Sequence, residues 1–163
     1  MTKGRAGLAA RTSVVLALLF CAFGGWSYAQ ADRDGSLTFA ASRDAALAEG
    51  KRHVEALTGF DGRKPEAALR RWLDASTGPL REELREAKTK TGPTARARIT
   101  DAALTALDDR AGTAELIATL EVETDTAGGG APNTERKRLE ATLARTAEGW
   151  RVRSLAAVPV GGV

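Results

Sequence analysis

Residues Val14 to Tyr28 read VVLALLFCAFGGWSY and contain no charged residue. Lys3, Arg5 and Arg11 precede this stretch with no acidic residue among them, and Asp32, Arg33 and Asp34 come after it. This arrangement leaves the chain few options. The apolar run is expected to enter a membrane, the cationic start to stay on the cytoplasmic side, and everything from Gln30 onward to lie outside the cytoplasm. Two readings of the run fit. A cleaved signal needs a basic start, an apolar core of about 7–15 residues and small residues before the cut, and Ser27-Tyr28-Ala29 supplies them. An uncleaved anchor needs about 20 mostly apolar residues to cross about 30 Å of hydrocarbon. Thr12, Ser13 and a snorkelling Arg11 extend the run toward that length. Trp26 and Tyr28 stand where interfacial aromatics hold an anchor at the outer surface. Phe20 is too bulky for the position before a lipid-bearing cysteine, so Cys21 reads as a small apolar filler.

The chain has 163 residues, and the part beyond the apolar run is long enough for one domain with one core. The 24 basic residues exceed the 21 acidic ones by Lys3, Arg5 and Arg11 alone, so the outer part is neutral overall. Nucleic acid recognition needs a clustered positive surface and is excluded on charge and compartment. The lone cysteine, Cys21, lies in the apolar run, so the outer part has no disulfide and must be held by its core. One histidine, His53, is far short of a His/Cys zinc site. No glycine motif that cradles phosphate is present, and no cofactor or metal is expected.

Residues 1–13 form a short cytoplasmic tip, 14–29 the transmembrane anchor or signal segment, and 30–36 a polar juncture. A first helix is expected over Leu37–Leu57, with Ser36 as N-cap and Ala40, Leu47, Val54 and Leu57 along one side. Thr58-Gly59 stops it, and Phe60 tucks under the turn at Asp61-Gly62. Pro65 opens a second helix, with Ala68, Leu69, Trp72 and Leu73 on its apolar face. Pro79 opens a short third one, carrying Leu80, Leu84 and Ala87. The pattern then changes to period two. Thr113–Thr124 alternates Ala114, Leu116, Ala118, Leu120 and Val122 with mostly polar residues, and Glu135–Thr146 repeats this with Leu139, Ala141 and Leu143 inward. Trp150, Val152 and Ser154 begin a last strand whose alternation breaks at Leu155, as at a bulge. Arg96–Leu107 is a further strand whose alternation slips between Ile99 and Leu104. Asp108–Gly112 and Glu148-Gly149 suit hairpins, and Asp125–Thr134, with Gly128-Gly129-Gly130, is a longer loop. Helices first and hairpin-joined strands second predict an α+β domain, its three helices packed on a four-stranded antiparallel sheet.

The order of these parts resembles the Mce-associated membrane proteins of high-GC bacteria. The pieces that carry the resemblance are the Phe60-Asp61-Gly62-Arg63 corner, Thr77-Gly78-Pro79-Leu80 leading into a helix, and Gly149-Trp150-Arg151-Val152 in the final strand. The resemblance implies a single-pass anchor, with residues 37–163 forming an extracytoplasmic domain similar to the NTF2-like cone, helices wrapped by a curved sheet. It also implies a non-enzymatic accessory role beside an Mce-type complex that imports lipids or sterols, and it favours the anchor over the cleaved signal.

The residues that bear on chemistry are few. A steroid-type isomerase on this cone needs an Asp base and a Tyr or protonated Asp at an oxyanion, but the only tyrosine is Tyr28, at the membrane edge. His53 reads as a partly exposed helix residue bonded to a neighbour, since no nucleophile or orienting group is visible for it. No catalytic residue is assigned. Arg70-Arg71 and Arg136-Lys137-Arg138 are read as solvated faces in preference to headgroup sites. Trp72, Leu116, Leu120, Leu143 and Trp150 are expected to line or fill the cone. The expected partners are the membrane and a protein of the transport complex, with an apolar ligand in an open cone as the alternative.

Overall fold

The computed structural model describes residues 3–126 and 130–158; among residues 3–35 it describes side chains at Cys21, Ala22, Trp26 and Tyr28. The chain divides into two units, Met1–Ala41 and Ser42–Val163. Helix α1 (Lys3–Thr58) is followed by α2 (Pro65–Ala75), α3 (Gly78–Glu86) and four strands, β1 (Ala95–Asp108), β2 (Thr113–Thr124), β3 (Asn133–Thr146) and β4 (Gly149–Ala157).

In the first unit the backbone is helical across 14–29 and onward through 30–36. Ser36 therefore stands inside a helix and does not begin one. The polar juncture contains Gly35 but no proline, and a single glycine costs a helix only about 1 kcal/mol. Trp26, Tyr28, Leu37 and Phe39 are exposed, as is Cys21. Among the described residues no helix is long and apolar enough to cross a membrane, and most of the expected anchor, 14–20 included, lies outside the residues whose side chains are described.

The second unit is an α+β domain. Its four strands form one antiparallel sheet in the order β1-β2-β3-β4, so every connection is a hairpin. Residues 127–129 of the expected long loop lie outside the described residues. The clean period-two pattern of β2 appears as alternate burial, with Ala114, Leu116, Ala118, Leu120 and Val122 all buried. The slip in β1 has a structural cause: its register with β2 shifts between Ile99 and Asp101 and again between Leu104 and Ala106. Each extra residue returns the apolar side chains to the inner face. The break in β4 has the same origin. Val152 pairs with Leu143 and Ser154 with Thr142, leaving Arg153 over, so that Leu155 turns inward and Ser154 outward.

The helices cover the inner face. Leu116, Leu120, Leu143, Val54 and Val152 are fully buried there, with Ala46, Ala141 and Trp150 beside them. Burying each large aliphatic side chain contributes about 1.5–3 kcal/mol. The most buried line of α1 runs through Ala46, Gly50, His53 and Val54, beside the expected row of Ala40, Leu47 and Val54; Ala40 is exposed. Small residues on this line let the helix approach the sheet closely. A Cβ on Gly50 would stand 2.8 Å from Leu143 Cδ1 and 3.1 Å from Leu116 Cδ1.

Candidate functional site

Two clusters in the second unit hold polar groups that the core does not explain. The first joins the buried face of α1 to β4. Glu49 accepts the backbone N–H of Trp150. One turn further on, His53 is buried, at 8% exposure, with Arg151 Nη1 3.4 Å from its Nε2. The sequence pattern places His53 partly in solvent; its line on the helix coincides with the small residues that face the sheet. Burial is the main cause that lowers its pKa to about 4, and the Arg151 and Arg52 charges lower it further, against Glu49 and the Trp150 backbone. The imidazole is therefore neutral at pH 7 and accepts from the guanidinium. Arg145 lies over the Trp150 ring at 5.0 Å, a cation–π contact, and its guanidinium also binds Asp109.

The second cluster is the corner between α1, α2 and β1. Phe60 forms an antiparallel bridge with Ala95: each backbone N–H donates to the other residue's carbonyl, both at 2.8 Å. Glu55 Oε1 accepts the N–H of Ile99 at 2.7 Å, and Asp61 Oδ1 accepts that of Arg63 at 3.1 Å. Gly62 lies directly under the backbone at Gly92: an added Cβ would fall 1.7 Å from the Gly92 carbonyl oxygen, so this turn requires glycine. A second isolated bridge, Ser76 with Val152, ties the α2–α3 connection to β4.

Between these corner elements lies an open groove of about 620 Å³. Ala56, Phe60, Ala95 and Ala97 supply its apolar floor. Arg52, Arg63, Lys64, Arg71 and Arg96 outnumber Glu55 and Asp61 around it. Arg96 pairs with Asp125 at 2.9 Å. Among the described residues, Arg52, Arg63, Lys64 and Arg71 have no ion-pair partner.

Of the five residues expected to fill or line the cone, Leu116, Leu120, Leu143 and Trp150 lie together in the core. Trp72 stands apart from them. It is half-buried at the corner, its ring 5.7 Å from that of Phe60 and its Nε1 donating to the Gly59 carbonyl at 3.0 Å. Of the two basic runs, Arg70-Arg71 and Arg136-Lys137-Arg138, three members are paired, whereas Arg71 lines the groove. Arg70 meets Glu66 at 3.7 Å, Arg136 meets Glu121 at 3.3 Å and Lys137 meets Glu135 at 3.3 Å. The groove cations do not stand out as a group in the sequence, because they are scattered along it and converge only on folding. Among the described residues no group of three or more His, Cys, Asp or Glu side chains could hold a metal ion.

No protein-family model matches the sequence, and no curated protein matches it either. Solved structures do. An IcmL-like type IV secretion system protein from Legionella pneumophila superposes with a TM-score of 0.56 over 74% of this chain and 95% of its own, at 13% identity. CagV of Helicobacter pylori, a VirB8 homologue of a type IV secretion system, gives 0.56 over 72% of this chain and 99% of its own, at 9% identity. An NTF2-like protein involved in plasmid conjugation gives 0.52 at 10% identity; the match covers 75% of this chain and 51% of that one. The fold is NTF2-like. At these identities the likeness is one of fold, and it supports the NTF2-like half of the resemblance read from the sequence. The Mce-associated half gains no support from it.

Proposed function

We propose that this chain is a membrane-anchored accessory protein that works by contact and not by catalysis, its NTF2-like domain held outside the cytoplasmic membrane by the Val14–Tyr28 segment. The observation that carries this reading is the filled interior. Where an NTF2-like ligand binder keeps an apolar cavity of several hundred Å³, Leu116, Leu120, Leu143, Val54 and Val152 are packed to full burial. The groove at the corner is charged and open, which suits a surface contact better than an enclosed apolar ligand. Tethering makes sense for such a protein because it raises the local concentration near a membrane partner.

The finer reading is an accessory subunit of an Mce-type lipid or sterol importer, which rests on the Phe60–Arg63 corner, the Thr77–Leu80 helix start and the Gly149–Val152 strand. A second reading, a part of a type IV secretion or conjugation assembly, is favoured by the fold of the IcmL-like protein and CagV. Crosslinking in intact cells followed by pull-down from membranes distinguishes them. Subunits of an Mce-type transport complex are expected in the eluate. Secretion-channel subunits in their place would establish the second reading. A soluble product beginning at Gln30, seen by N-terminal sequencing after carbonate extraction, would remove the anchor from both.

A further inference from the structure

We propose that the corner groove receives an extended acidic segment of a partner protein, which pairs with the free peptide groups of Ala97 on the outer edge of β1. The inference rests on the contact-based function above and assigns the surface and the chemistry of that contact. Three observations carry it. First, Arg52, Arg63, Lys64 and Arg71 converge on one groove and, among the described residues, pair with no carboxylate. The two carboxylates in the groove, Glu55 and Asp61, each accept a backbone N–H, from Ile99 and Arg63, form no ion pair with these cations and are outnumbered by them. Guanidinium groups left open in this way match carboxylates in bidentate fashion.

Second, β1 is an edge strand, and its outer edge is occupied on both sides of Ala97 but not at it. Ala95 uses its N–H and carbonyl on Phe60, and Ile99 gives its N–H to Glu55. Residues two apart in an antiparallel ladder point their backbone groups to the same side. The peptide groups of Ala97 therefore face the groove, and among the described residues no backbone group outside the sheet pairs with them. Third, Ala56, Phe60, Ala95 and Ala97 give the groove an apolar patch between its cations, which the alternate side chains of an extended segment can meet. A lipid headgroup would use the cations but neither the free edge nor this patch.

The test uses the full chain in detergent micelles and a short fluorescent peptide of alternating Glu and Val, read by anisotropy. Binding is expected, with the Gln-for-Glu peptide at least about tenfold weaker and the Glu peptide released as salt rises. R63Q combined with R71Q should weaken binding about tenfold, whereas R70Q, which removes only an exposed intrahelical pair, should leave it within about twofold. N-methylation of alternate amides, made in both registers so that each edge of the peptide is blocked in turn, should abolish binding in one register. Equal binding of the Glu and Gln peptides, no binding of either, or indifference to the double substitution would overturn the proposal. So would capture of vesicles of phosphatidylcholine and phosphatidylglycerol, dependent on Arg63 and Arg71, by a chain that ignores the peptide. Unchanged affinity for both N-methylated peptides would overturn the backbone pairing at Ala97. R52E, tested with circular dichroism melts alongside, provides a second variant should the first pair impair folding. A chain that ignores the peptide yet still co-purifies with its membrane machine loses the groove assignment and keeps the function. A chain that binds the peptide but co-purifies with nothing loses the function.

Discussion

β1 and β4 are the two edges of one sheet, and they are closed by different means. Along β4, Trp150 and Val152 are buried, α3 lies against the strand, and Glu49 and His53 of α1 reach over to Trp150 and Arg151. Along β1 the inner row reads Ala95, Ala97, Ile99, Ala102, Leu104 and Leu107, and every one of them is only half-buried. Both edges carry one isolated bridge from a helix connection, Ser76 on β4 and Phe60 on β1. The difference lies in side-chain size. Large inward side chains fill the space under β4, while the alanines at the start of β1 leave room, and the groove forms there.

The largest expected effect is on the filled side. Leu143→Ala removes a fully buried side chain that meets α1 at Gly50 and should cost about 2–5 kcal/mol in thermal or denaturant unfolding. A loss below about 1 kcal/mol would mean that the β4 side is as loosely filled as β1.

The next concerns His53. Its folded pKa of about 4 lies below the value of about 6.5 expected in the unfolded chain, so the unfolded state takes up the proton first as pH falls. Its contribution is fully present above pH 6.5 and is lost between there and pH 4. From about pH 7.5 to about pH 4.5 the wild type should lose about 2–3 kcal/mol more than His53→Gln, whose side chain does not titrate. Parallel pH curves for the two proteins would show that His53 is open to water and that the β4 side is not sealed.

Gly50→Ala should cost about 1–3 kcal/mol, because the new methyl overlaps Leu143 and Leu116 at a packed interface. The smallest effect is expected on the open side. Ala97→Val enlarges a half-buried residue on the groove floor and should change stability by no more than about 0.5 kcal/mol. If it destabilised as much as Gly50→Ala, the two edges would be equally crowded and the contrast between them would vanish.

The two sides also differ in how far they can be read from the sequence. β2 is legible to its end residues, because Ala114 to Val122 alternate without interruption. The bulges in β1 and β4 leave traces as broken alternation, and the pairing register shows where each extra residue sits. Helix α1 reads as starting near Leu37 because Asp32–Ser36 looks like a juncture; a helix tolerates such a polar stretch when no proline interrupts it. Trp72 groups with the cone on the ground that large aromatic rings are usually core residues, yet its indole N–H has an acceptor at the corner, the Gly59 carbonyl. The groove is hidden for a different reason. Runs such as Arg136-Lys137-Arg138 attract attention, but they come with nearby carboxylates that neutralise them. Arg52, Arg63, Lys64 and Arg71 belong to α1, a turn and α2, and only the fold brings them together.

The bond between Glu49 and Trp150 spans 101 positions of the chain, and the contact of His53 with Arg151 spans 98. If the domain crosses a membrane as proposed above, with α1 ahead of the strands, this separation sets an order of events. The α1 segment would then emerge early and wait, with its Ala46–Val54 face uncovered, until β4 follows it. Non-local pairings of this kind fold slowly and leave apolar surface exposed in the interval. On that topology, assembly of the domain would be coupled to the completion of export: a chain interrupted before Gly149 keeps the helix but lacks the strand that closes over it. A product cut short in this way is expected to expose apolar surface and to be cleared by proteases or chaperones, so that only complete molecules persist.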